Sequence, residues 1–185
     1  MRVLVACEFS GIVRQAFQTA GHEACSVDLV PTEQPGTHVQ GDVRNVLAWG
    51  WDLMVAFPPC TYLARSGAQW HWWSNEQDAA LSFVRALMAA PIGRIAIENP
   101  IGRISTAIRK PDQIIQPWQY GHNQTKATCL WLKNLPLLWP TDIVEGRDQL
   151  TFHEPRSVDR ARNRSRTLTG IAQAMAQQWG NLCPM

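Results

Sequence analysis

The sequence has no CxxC pair, no glycine-rich GxGxxG turn, no long apolar run and a net charge of only +2. Each lack excludes something. The five cysteines, Cys7, Cys25, Cys60, Cys129 and Cys183, are an odd set without paired spacing. That argues against both a disulfide framework and a structural zinc site. His122 and Cys129 lie near each other, but two candidate ligands do not make a metal site, and no metal is expected. Apolar stretches break within about ten residues, too short to span a bilayer. The start, Met1 to Cys7, resembles a first core strand more than a signal peptide, because no long apolar segment leads to a small-residue cleavage site. A soluble, cytoplasmic monomer with no membrane contact is expected. The small net charge does not by itself imply nucleic acid. What is present is 45% hydrophobic residues and 17% charged in a chain of 185, the profile of a globular domain with a sizeable core.

The chain is organised around Trp51-Asp52-Leu53-Met54-Val55-Ala56-Phe57-Pro58-Pro59-Cys60. Its first half reads as a buried strand of a parallel sheet. Two prolines stop that strand, since neither can donate to a ladder. Cys60 is thereby delivered at a strand's carboxyl end, where open α/β sheets place their ligands. It is either a nucleophile or a cysteine packed as a small hydrophobe.

A mononucleotide-type unit precedes it. Residues 2–7 read as a strand, Glu8-Phe9-Ser10-Gly11 as a tight turn, and 12–20 as a helix with Ile12, Ala16 and Phe17 on its apolar face. Residues 22–28 form a second strand ending on Asp28. In such units the turn approaches a ligand and the acid accepts from ribose hydroxyls. Lacking a pyrophosphate cradle, the unit suits a ribose-bearing ligand without phosphate, such as S-adenosylmethionine. Asp28 is otherwise an acid in a surface loop. Asp42 reads as a helix cap or as a contact for an adenine amine.

Residues 61–73 form a loop with Trp70, Trp72 and Trp73, either a buried anchor or a platform for stacking bases. A helix follows from Ser74 towards Pro91, its apolar face read as Ala79, Ala80, Phe83, Val84, Leu87 and Met88. Arg94 to Pro100 is another buried strand, ending Glu98-Asn99-Pro100. A carboxyl and a carboxamide there are costly to desolvate and need partners or a task. Residues 114–118 and 128–133 are β-prone, with a polar turn from Tyr120 to Lys126 between them. Residues 141–166 look largely irregular and carry Arg156, Arg160, Arg162, Arg164 and Arg166, a solvated run or a set of phosphate contacts. An amphipathic helix over 168–179 presents Ile171, Ala172, Met175 and Trp179.

In this order (turn, acid, acid, Pro-Pro-Cys, Glu-Asn) the chain resembles the DNA cytosine-5 methyltransferases, most closely the short forms of bacteriophages and prophages. Phe9-Ser10-Gly11 is similar to the family's cofactor-binding motif, Phe57-Pro58-Pro59-Cys60 to its Pro-Cys motif and Glu98-Asn99-Pro100 to its Glu-Asn-Val motif. Ser66-Gly67 fits the loop behind the cysteine, and Tyr120 to Lys126 is similar to the Gln-x-Arg-x-Arg motif. Lys126 and Thr128 stand where that motif has arginines, and the first motif lacks its later glycines. Fewer than sixty residues follow Lys126, so no large target-recognition domain is expected.

The resemblance implies an α/β, Rossmann-like S-adenosylmethionine-dependent methyltransferase fold, a mostly parallel sheet with helices on both faces. It implies a single domain over residues 1–185, with a catalytic core at 1–133, an irregular minimal recognition region at 134–166 and a C-terminal helix at 167–185. Implied catalytic residues are Cys60, Glu98, Asn99 and Lys126. Glu8, Phe9, Ser10, Gly11, Asp28, Leu29, Asp42, Val43 and Pro58 are implied to bind S-adenosyl-L-methionine, leaving S-adenosyl-L-homocysteine as product. Ser66, Gln124, Lys126, Arg160, Arg162, Arg164 and Arg166 are implied to contact DNA, with short or weak sequence specificity and a flipped-out base. The location would be the host cytoplasm if the chain is phage-encoded. Methylation of RNA, single strands or free dCMP, and a catalytically idle relic that only binds DNA or cofactor, remain alternatives.

Overall fold

A computed structural model describes residues 1–65, 75–150, 155, 157 and 159–182. Seven strands form one sheet in the order β3-β2-β1-β4-β5-β7-β6. The strands are β1 (Arg2–Ala6), β2 (Glu23–Asp28), β3 (His38–Gln40), β4 (Leu53–Ala56), β5 (Arg94–Pro100), β6 (Gln113–Ile115) and β7 (Thr128–Lys133). The first five in spatial order are parallel. β7 runs antiparallel to both β5 and β6.

Alternation along each strand builds two cores. Leu4, Ala6, Val27, Met54, Ala56, Ile95, Ile97 and Trp131 face one side, where α2 (Asn75–Met88) and the short α3 (Ile104–Ala107) pack. Val3, Val5, Leu53, Val55, Ala96 and Leu130 face the other, covered by α1 (Ile12–Thr19) and a C-terminal helix over Thr169–Gly180. Burial on both faces is why these strands read as continuous apolar runs. The expected α/β, Rossmann-like sheet with helices on both faces is the one observed.

Ala79 apart, both expected helix faces pack against the sheet, and each helix also buries a polar residue that periodicity did not mark. On α1, Val13, Arg14 and Phe17 are buried, while Ile12 and Ala16 are only partly covered. Arg14 goes inward because its guanidinium finds oxygens there: Ser26 Oγ at 2.8 Å, the Gln34 carbonyl at 2.7 Å and the Pro35 carbonyl at 3.0 Å. On α2 the buried residues are Gln77, Leu81, Val84 and Leu87, and Ala79 is exposed. Gln77 is drawn in by donating to the Tyr62 carbonyl at 3.1 Å. Nor is the stretch 141–166 wholly irregular. It contains α4 (Arg160–Ser165), after which α5 (Thr169–Gly180) closes the fold.

The connection order reverses between β1 and β4: from β1 the chain builds outward through β2 and β3, then returns to place β4 on the other flank. A crevice at the carboxyl ends of β1 and β4 is the usual ligand position in such sheets. Phe57 continues this contact past the strands, its N–H donating to the Ala6 carbonyl at 2.9 Å. The turns carrying Phe9 and Cys60 therefore emerge from neighbouring strand ends at this switch point.

Candidate active site

Cys60 begins a tight turn just past β4. Its carbonyl accepts from the N–H groups of Leu63 (3.0 Å) and Ala64 (2.8 Å). The residue is exposed, yet its surroundings strip enough water from the thiol to push its pKa up. The Glu98 charge raises it further, while Lys126 and Arg164 pull it down.

Glu98 comes from the adjacent parallel strand β5, partly buried. Burial raises its carboxyl pKa above the usual range, opposed by the Lys126 charge and a hydrogen bond from the Thr128 side chain. Asn99 is buried, and its Nδ2 donates to the Pro58 carbonyl at 2.8 Å. It thus ties the end of β5 to the Pro-Pro-Cys turn. Its Oδ1 is buried and finds no hydrogen-bond partner among the described residues. Beside Glu98 a small cleft is lined by Lys126, Thr128, Ser165, Thr167, Leu168 and Ile171. Lys126 Nζ donates to the Arg164 carbonyl at 2.9 Å.

Across the crevice, Gly11 adopts φ 76°, a left-handed conformation that lets the turn enter α1. Glu8 points into the protein rather than out of it. It is buried, accepts from Ser10 Oγ (2.6 Å) and the Val13 N–H (3.2 Å), and its pKa is raised by desolvation. Its task is to cap α1 from inside. Asp28 ends β2, one oxygen accepting from the Val30 N–H at 3.1 Å, with Leu29 exposed beside it. Asp42 caps the 3-10 turn Val43–Val46 by accepting from the Arg44 N–H at 2.9 Å, and it also pairs with the Arg44 guanidinium. Val43 is buried beneath. The charges of Asp28 and Asp42 both reach Cys7, whose thiol is pushed up to about 12, mainly by burial.

The expected nucleic-acid residues divide. Ser66, Arg156 and Trp70, Trp72 and Trp73 lie outside the described residues. Gln124 is partly buried, its backbone bridged to Asp148. Arg160 and Arg164 lie on α4, and Arg166 follows its last residue. Arg162 and Arg166 both pair with Glu33, at 2.8 and 2.6 Å.

Three positions were not legible beforehand. A Cβ on Gly102 would meet the Leu63 carbonyl oxygen at 1.9 Å. Only glycine allows the segment after Pro100 to lie so close to the segment after Cys60, where the Arg103 N–H donates to the Leu63 carbonyl at 2.7 Å. A Cβ on Gly170 would meet the Tyr120 carbonyl oxygen at 1.9 Å, and the Gly170 N–H donates to His122 Nε2 at 3.0 Å. The start of α5 is thus clamped to the turn leading into Lys126. Glu33 is the third.

No protein-family model and no curated protein sequence matches the chain. Solved structures with a similar fold include a protein described as a DNA modification methyltransferase encoded within an E. coli prophage. It has a TM-score of 0.55 and 14% identity over 85% of this chain and 56% of that one. The S. pombe Dnmt2 methyltransferase follows with a TM-score of 0.52 and 17% identity, over 75% of this chain and 51% of that one. An Entamoeba histolytica methyltransferase, EhMeth, has a TM-score of 0.52 and 12% identity, over 85% and 61%. The chain therefore has the Rossmann-like fold of these methyltransferases, and it spans 51% to 61% of their lengths. Among the described residues, no helix is long and apolar enough to cross a membrane.

Proposed function

We propose that the protein is a DNA cytosine-5 methyltransferase using S-adenosylmethionine, with Cys60 as nucleophile and Glu98 as its acid partner. The observation that carries this reading is geometric: Cys60 and Glu98 come from the carboxyl ends of adjacent parallel strands, tied together by the Asn99 Nδ2 hydrogen bond to the Pro58 carbonyl at 2.8 Å. The acceptors across the crevice suit the cofactor. The Asp28 carboxylate can accept from ribose hydroxyls and Asp42 from an adenine amine, whereas two acids without a glycine cradle would repel a pyrophosphate. When bound, S-adenosylmethionine supplies an electrophilic methyl group for C5.

C5 of cytosine is a poor nucleophile until C6 is attacked. The Cys60 thiolate adds to C6, and the displaced electrons move towards N3, where Glu98 delivers its proton. Burial suits Glu98 to this, since it keeps the carboxyl protonated to higher pH. Burial is the main cause of the raised thiol pKa, and a protonated Glu98 removes the negative charge that adds to it, while Lys126 and Arg164 still pull towards the thiolate. Asn99 holds the Pro58 carbonyl and so the turn that aims Cys60. Once C5 is substituted, a solvent water takes its proton, the C5–H electrons re-form the C5–C6 double bond and expel the Cys60 thiolate, and Glu98 recovers the proton from N3. Flipping a base from duplex DNA adds a few kcal/mol.

The test is covalent trapping on a 5-fluorocytosine oligonucleotide with S-adenosylmethionine. Fluorine cannot leave as a proton does, so a denaturing gel is expected to show an adduct that is lost in Cys60→Ala. Turnover on ordinary DNA should fall by at least about a thousandfold in that variant. An alanine variant as active as wild type would rule the nucleophile out.

A further inference from the structure

α4 does not hang free in solvent. Arg166 forms a bidentate pair with Glu33, Nε to Oε2 at 2.7 Å and Nη2 to Oε1 at 2.6 Å. Arg162 Nε joins the same carboxylate at 2.8 Å. Both guanidinium groups also lie over the ring of Phe9, at 5.0 and 5.8 Å from its centroid. Arg162 lies on α4 and Arg166 just past its last residue, and both reach the same carboxylate. Glu33 meanwhile donates its own N–H to the Phe9 carbonyl at 2.8 Å. One residue therefore fixes Phe9 twice, through its backbone from one side and through two arginines from the other.

The segment carrying Glu33 is itself anchored. Buried Arg14 donates to the carbonyls of Gln34 and Pro35, and a Cβ on Gly11 would meet the Gln34 side chain at 2.7 Å. Between those two arginines α4 is also held by Lys126, which donates to the Arg164 carbonyl. A clasp thus runs from the turn at Phe9 to the cleft at Glu98.

We propose that Glu33, with Arg162 and Arg166, forms a set of positioning residues for the turn carrying Phe9, and that this clasp sets affinity for the nucleoside cofactor. The inference rests on the functional reading above for what that cofactor is. It gives Arg162 and Arg166 a task other than gripping phosphate. Glu33 touches no reacting atom, so its loss should weaken binding without slowing the chemical step at saturation.

The experiment measures S-adenosylhomocysteine affinity by calorimetry, and cofactor KM and kcat on DNA, for the full chain, Glu33→Gln and the exchange Glu33→Arg with Arg166→Glu. Glu33→Gln is expected to bind roughly threefold to tenfold more weakly, in line with a partly exposed ion-pair cluster. Its cofactor KM should rise by a similar factor with kcat unchanged, and the charge exchange should recover most of the loss. Unchanged affinity in Glu33→Gln, or a fall in kcat with KM unmoved, would overturn the proposal. So would tighter oligonucleotide binding by Glu33→Gln at unchanged cofactor affinity, which would assign the arginines to phosphate. A wild-type chain that binds no S-adenosylhomocysteine would take down the functional reading and this inference together. Binding by wild type, equalled by Glu33→Gln, would take down this inference alone.

Discussion

The carboxyl edge of the sheet carries two kinds of acid, and they behave in opposite ways. Glu98 and Glu8 have carboxyl pKa values raised by burial. Glu33 and Asp42, on the same edge of the molecule, are lowered, each by arginine. The difference lies in what each has for company. Glu98 has Lys126 within electrostatic reach, but desolvation outweighs it. Glu33 and Asp42 stand closer to water, and direct pairing wins. Acids of the first kind are equipped to hold a proton. Those of the second hold neighbouring segments in place by staying charged.

The largest expected effect exploits that contrast. Glu98→Gln keeps the shape but cannot deliver a proton, so methylation should fall by about a hundredfold to ten-thousandfold. The same change removes the charge that raises the Cys60 pKa. At a pH where Glu98 is ionised, the variant's thiol should therefore react faster with iodoacetamide than wild type. Loss of turnover with slower alkylation would show that the two groups are not coupled as described.

Next come the backbone contacts that keep the two strand ends together. Gly102→Ala drives a methyl against the Leu63 carbonyl, and overpacking of this kind typically costs about 1–3 kcal/mol. Thermal denaturation should show a matching loss, while Gly41→Ala, where a Cβ meets nothing within 4 Å and φ is likewise not positive, reports the effect of the added methyl without the clash. Asn99→Ala leaves the Pro58 carbonyl without its donor, a loss of about 1–3 kcal/mol for a buried acceptor. Its chemical signature would be slower adduct formation on the fluorinated oligonucleotide, because the turn holding Cys60 loses its tie to β5.

Cys60 and Glu98 could be read in the chain because each ends a short apolar run in prolines, and a buried strand that stops at proline fixes where its last residues emerge. β5 and β7 match the expected ranges for the same reason: their apolar content leaves little choice. Gly102 and Gly170 could not be read, since each is required by a carbonyl contributed from a distant segment. Arg14 was hidden by the ordinary rule that arginine faces water. Its burial depends on oxygens from Ser26 and the turn at 34–35. α4 has no apolar face for periodicity to detect. Its place comes from Glu33 and Phe9, far away in sequence.

The smallest effect tests a cation that touches both halves of the comparison. Lys126 lowers the pKa of Cys60 and of Glu98, and its Nζ also holds the Arg164 carbonyl at the end of α4. Lys126→Met keeps the length and removes the charge, so both groups should titrate higher. For Cys60 this means less thiolate at any given pH and slower alkylation. For Glu98 it means a proton retained to higher pH, so the alkaline limb of adduct formation should move up with it. The two shifts oppose each other in turnover at neutral pH, where the net loss should be modest. Their separation is the informative part: the thiol is read by iodoacetamide without substrate, the carboxyl only through the pH profile of trapping. If alkylation were unchanged, Lys126 would belong to the anchoring of α4 rather than to the thiolate, and the cation acting on Cys60 would be Arg164.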